Sequence, residues 1–145
     1  QHIVLSPLSR SGKPSWLVLY NITEVDWKNV PPNLIRQILE VHQRGEPIRS
    51  IALSINGGWV LVTPAKVYHE LIPKNMAAQL DLLQQKKADI HYVAFNVDNG
   101  WIILHDRYKG VWERIPASLV VELERLSAQQ SHIRAVHFYT VRGRI

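Results

Sequence analysis

The stretch Asn56-Gly57-Gly58-Trp59-Val60-Leu61-Val62, NGGWVLV, is followed further along the chain by Asn99-Gly100-Trp101-Ile102-Ile103-Leu104, NGWIIL, with the two tryptophans 42 residues apart. A glycine-bearing turn, a tryptophan and a short apolar strand written twice at a fixed offset are the mark of an internal repeat. Other positions keep the same step. Trp16, Trp59 and Trp101 are spaced by 43 and 42 residues, and Pro31, Pro73 and Pro116 by 42 and 43. Ile48, Ile90 and Ile133 each stand 17 residues after one of those prolines.

Within a unit the local signals are consistent. Ile51, Leu53 and Ile55 alternate with Ser50, Ala52 and Ser54, the period of two of a strand with unlike faces. Asn56-Gly57-Gly58 and Asp98-Asn99-Gly100 supply the positive φ angles of tight hairpins. WLVLY, WVLVT and WIILH are short, apolar and rich in aromatic and β-branched residues, as second strands of hairpins are. Proline then opens a helix, where its missing N–H costs nothing. The stripes Leu34-Ile38-Val41, Met76-Leu80-Leu83 and Leu119-Leu123-Leu126 share one spacing and lie on one helical face. Gly45 is a stop for the first helix.

The reading is an α+β domain of three tandem ββα repeats of about 43 residues, because one such unit cannot bury its own stripe and must share a core with its neighbours. The units span 2–45, 46–87 and 88–130, with a terminal strand over 131–145. They are expected to form a mixed sheet of about seven strands with three helices on one face, the other face open. The tandem pattern of a Gly-Trp turn and an Ile-Pro helix start resembles short repeats in uncharacterised bacterial multidomain and exported proteins. The resemblance covers nearly the whole chain and implies no activity and no catalytic residue. The first unit departs from it, with Pro14-Ser15 before Trp16, and the last ends with Arg144 in the tryptophan's place.

Composition narrows the chemistry. The 145 residues suit one domain, and an apolar content of 46% is that of a globular chain. There is no cysteine, so disulfides and thiolate catalysis are excluded. No stretch approaches the ~20 apolar residues of a membrane span. The chain begins at Gln1, as a processed product or an excised piece would. Serine elbows, phosphate-cradling glycine loops and zinc spacings among the seven histidines are all missing. No cofactor and no metal are implied. A net charge of +5 favours acidic partners.

Candidate binding residues follow from the expected open face. It would carry Trp16, Trp59 and Trp101 with Tyr92, His105, His137 and Tyr139, an aromatic surface of the kind on which bases or sugars stack. Arg49, His91 and Arg134 recur just after the repeated isoleucine and would stand in a basic row. Trp27, His69 and Trp112 recur four residues before the prolines, where that loop would be either a recognition rim or, more simply, a staple of the helix entry. The function expected is non-catalytic: a protein or peptide interaction module, or a homo-oligomer, working through the open face or the edge segment HIRAVHFYTV. The alternative is nucleic-acid binding through the basic, aromatic face.

Overall fold

The computed structural model describes residues 2–5, 16–20 and 24–138. The chain is α+β, in the order strand, strand, strand, helix, three times over. The first unit holds β1 (His2–Leu5), β2 (Trp16–Tyr20), β3 (Glu24–Lys28) and α1 (Pro32–Gln43). The second holds β4 (Ser50–Leu53), β5 (Trp59–Val62), β6 (Val67–Glu70) and α2 (Lys74–Gln85). The third holds β7 (Ile90–Phe95), β8 (Trp101–His105), β9 (Lys109–Glu113) and α3 (Ala117–Ala128).

Three features differ from the sequence reading. Each unit has a third strand where a loop was expected, so that Trp27, His69 and Trp112 sit on β3, β6 and β9. β6 and β9 are short and mostly half-exposed, and Asp26, Trp27 and Lys28 of β3 are exposed, so these strands carry little apolar alternation to read. Secondly, the strands form three separate three-stranded sheets, each an antiparallel meander, in place of one mixed sheet of seven. The first strands β1, β4 and β7 run beside one another, and β7 meets the segment 131–138. Thirdly, that segment forms no strand among its described residues.

The layers alternate sheet, helix, sheet. One core joins Leu17 and Leu19 of β2 to Leu34, Ile35, Ile38 and Val41 of α1 and to Ile51, Leu53, Trp59 and Leu61 of the second sheet. The next joins Val60 and Val62, on that sheet's other face, to Met76, Leu80 and Leu83 of α2 and to Val93, Phe95, Trp101 and Ile103. The third joins Ile102 and Leu104 to Leu123 of α3 and to Ile133. A helix therefore serves two sheets. The middle sheet is covered on both faces, and all four residues of β5 are buried. The face assignment follows from register. Leu53 stands opposite Trp59 and Ile51 opposite Leu61, so the large residues of β4 share a face with the tryptophan and not with Val60 and Val62.

The helices begin and end alike. Pro31, Pro73 and Pro116 are the N-caps, with φ near the angle that the ring imposes. At the C-termini, Gly45, Lys87 and Gln130 adopt positive φ of 73°, 57° and 57°. Each N–H donates to the third carbonyl back, and the following N–H to the fifth, as in Glu46 to Val41, Ala88 to Leu83 and Ser131 to Leu126. Only the first unit places glycine there. Lys87→Gly removes the Cβ penalty of a left-handed residue and is expected to stabilise the fold by about 1 kcal/mol. Thermal unfolding should then shift upward by about 3 °C; an unchanged or lower midpoint contradicts the motif at Lys87.

The glycine before each tryptophan has another role. Gly57 and Asn99 supply the positive φ of the hairpins, 83° and 60°. A Cβ on Gly58 would lie 2.2 Å from the carbonyl oxygen of Leu71, and one on Gly100 2.2 Å from that of Arg114. Leu71 and Arg114 are themselves at positive φ, just before the helix. Gly-Trp thus marks a close approach between the hairpin and the helix entry of the same unit.

Candidate functional site

The expected aromatic face is not an open surface. Trp59 and Trp101 are 3% and 2% exposed and pack against the preceding helix. Ser50, Ser54, Thr63, Asn96 and His105 are buried too. A face bearing large aromatics reads as a platform only if nothing covers it, and here the helix of the preceding unit covers it. Trp16 holds the first position of β2, opposite Leu5 and Lys28. Tyr139 lies outside the described residues.

The buried polar groups have internal partners. The Ser54 hydroxyl accepts from the Asn56 and Gly58 N–H groups, and the Asn96 side-chain oxygen accepts from Asp98 and Gly100 in the equivalent turn. His105 Nδ1 and Asp106 Oδ2 are 2.7 Å apart. The Asp89 N–H, and next His105, hold the Asp106 carboxyl below the usual carboxylate range. Among the described residues no cluster of three metal-binding side chains is assembled, and no helix is long and apolar enough to cross a membrane.

Two members of the basic row, Arg49 and His91, are bonded within the stack. Arg49 Nη1 donates to the carbonyl of Ile90 at 3.2 Å and pairs with Asp89. His91 Nε2 lies 2.7 Å from the carbonyl of Ile133. Each bond runs from the residue after the repeated isoleucine to the isoleucine of the next unit. Other groups make the same kind of step. The Asn33 amide donates to Glu70 at 2.9 Å, and the Asn75 amide to Glu113 at 3.2 Å. The Ser50 hydroxyl accepts from the Val93 N–H, and the hydroxyl of Tyr92, the matching position, donates to the Val136 carbonyl at 2.7 Å. Burial pushes the Tyr92 phenol up from its ordinary range. His137 is exposed and meets the Tyr92 ring edge-on.

No family model, no curated protein and no solved structure matches this chain.

The junction between units changes at the third. Leu119 and Leu126 of α3 are only half-buried, although their equivalents Leu34, Val41, Met76 and Leu83 are buried. Ser118 stands where Asn33 and Asn75 reach the next unit, and Arg134 where Arg49 and His91 do. Both are exposed. Neither has a hydrogen-bond partner among the described residues. The outer side of α3 with the segment 131–138 is therefore an unfinished copy of the junctions behind it. No single residue betrays such a surface in sequence, because the same residues are interior in one unit and peripheral in another. Aligning the units and asking which lacks a successor is the signal that finds it.

Beside that end lies a groove of about 450 Å³ between β9 and α3, lined in part by Lys109, Gly110, Trp112, Leu123, Glu124 and Ser127. Of these only Trp112 was weighed from the sequence as a contact, as part of the loop before the helix. His105, a candidate binding residue, lies at its border.

Proposed function

We propose that the chain is a protein-assembly module whose α3 end receives, in trans, the β1–β2 sheet of a second copy. The observation that carries this reading is the match between the two ends. At the α3 end, Leu119, Leu126 and Ser118 occupy the positions that bind the following sheet at both inner junctions, and Arg134 the position from which Arg49 reaches the third sheet and His91 the segment 131–138. At the other end, Ile3 pairs with Val18 and Leu5 with Trp16. In the second sheet those register positions are Ile51 with Leu61 and Leu53 with Trp59, the residues that lie against α1. The pattern isoleucine, leucine, tryptophan and aliphatic is thus written at both places, and Val18 is only half-buried.

Each of the three units is read as one copy of a single helix-on-sheet junction, repeated by near-translation. Such an interface is heterologous, so it builds head-to-tail rings or filaments and not a two-fold dimer. Its centre is apolar, so association should depend weakly on salt. The nucleic-acid alternative rested on the basic row and the aromatic face, and Arg49, His91, Trp59 and Trp101 are all engaged inside the stack.

Sedimentation velocity over a concentration series tests this. The wild-type chain should move from monomer to larger species between low and high micromolar concentration. Leu126→Asp should stay monomeric with an unchanged circular dichroism spectrum, since the site is already half in water. A wild-type chain that is monomeric throughout, or a variant that associates as well as wild type, refutes the reading.

A further inference from the structure

The groove in the third unit has a definite origin. Position for position, its two inner walls are Gly110 and Ser127, and the second unit has Val67 and Gln84 in their place. Gln84 fills the gap there. Its side-chain oxygen accepts the Val67 N–H at 3.1 Å, and its amide nitrogen donates to the Leu80 carbonyl at 3.4 Å. The Val67 N–H is available because residue pairs in an antiparallel ladder alternate between bonded and unbonded. Thr63 N–H donates to the Lys66 carbonyl, so the next pair, Val62 with Val67, turns its N–H off the sheet edge. Leu104 and Gly110 are the same pair in the third sheet.

The third unit keeps the donor and the acceptor and removes the side chain that joined them. Gly110 presents its N–H at the edge, and Leu123 stands where Leu80 does. The Ser127 side chain is too short to bridge them, and its hydroxyl makes no hydrogen bond to either group; its backbone N–H makes only the ordinary helical bond to the Leu123 carbonyl, which keeps a second lone pair. The Trp112 ring lies across Gly110, where a Cβ would come within 3.1 Å of it. Glycine at this position therefore lets an indole form the wall. Lys109 and Glu124 on the border have opposite charges, so the groove offers no net attraction to an ion. A donor and an acceptor spaced for one carboxamide, beside an aromatic wall and an apolar floor of Leu123 and Ile133, are recognition elements for a neutral ligand.

We propose that the groove between β9 and α3 binds a primary carboxamide on a small apolar body, its oxygen accepting the Gly110 N–H and its nitrogen donating to the Leu123 carbonyl. The site is independent of head-to-tail assembly. It takes the carboxamide either from a free small molecule or from a glutamine side chain of a partner, because both present the same two atoms.

The experiment is an amide-resolved NMR titration of the full chain, with Leu126→Asp present to keep it monomeric. Benzamide is one probe and N-acetylglutamine N-methylamide the other, with benzoate as the anionic control. Either carboxamide should shift the Gly110 amide signal saturably, while benzoate leaves it in place. A preference for benzamide points to a small molecule, and a preference for the glutamine derivative to a peptide. Ser127→Gln supplies the group in cis, as Gln84 does, and should abolish the shift while moving the Gly110 resonance in the unliganded protein toward its liganded position. No saturable shift with either carboxamide overturns the proposal, as does an equal response to benzoate or undiminished binding to a folded Ser127→Gln variant.

Discussion

Gly100→Ala is expected to cost about 3 kcal/mol or more of folding stability, near the upper end of what overpacking does. The new methyl carbon would meet the Arg114 carbonyl oxygen at 2.2 Å and the Asn96 side-chain nitrogen at 2.7 Å. The first obstacle is backbone, held by the helix entry, and the second is the amide that bonds that same carbonyl at 2.9 Å. Neither can swing aside as a flexible side chain does. Urea unfolding should show a clearly lowered midpoint with little change of slope. Gly57→Ala is the internal comparison. It has φ of +83° and a Cβ there would find nothing within 4 Å, so only its backbone preference is lost, about 1 kcal/mol. Equal losses at the two sites contradict the close approach assigned to Gly100.

The second large effect is at the tryptophans. Trp101→Ala is expected to destabilise by about 3–5 kcal/mol, the range for emptying an aromatic site in a packed core. Trp101 is 2% exposed and stands among Met76, Leu80, Phe95 and Ile103. Were it part of a free binding face, the same change would alter stability by no more than about 0.5 kcal/mol. Trp27→Ala provides the contrast, because that ring is 46% exposed. Denaturant midpoints of the two variants separate the readings: a small loss at Trp101 would restore the open face and remove the covering role of α2.

How much of this was legible follows from the physics of each signal. The repeat was legible because recurrence at a fixed step survives without any knowledge of contacts. The helices were legible because Leu34-Ile38-Val41 and its copies keep one side apolar. The third strands were not, since VYHE and KGVWE are short and mostly half-exposed. The number of sheets was missed for a related reason. Alternation in β4 and β5 tells which residues share a face, but WVLV is apolar at every position, and a strand covered on both faces has no polar side to reveal it. Placing Trp59 on the open face left it exposed, although cross-strand pairing with Leu53 puts it in a core. The bonds that Arg49 and His91 make to the following unit were not legible, because a carbonyl partner one unit away leaves no mark in composition. The groove went unnoticed because Gly110 and Ser127 matter only against Val67 and Gln84.

A helix clasped between its own sheet and the next has a consequence for how such chains vary in length. Every interior boundary presents the same pair of surfaces, so a whole unit can be spliced in or out between two others and both cut faces find their former counterpart. Partial units have no such freedom, since a sheet without its helix leaves one face bare and a helix without the following sheet leaves half its stripe in water. Length in this architecture is therefore counted in steps of one unit. The grammar of the fold permits gain and loss by duplication while it penalises gradual extension.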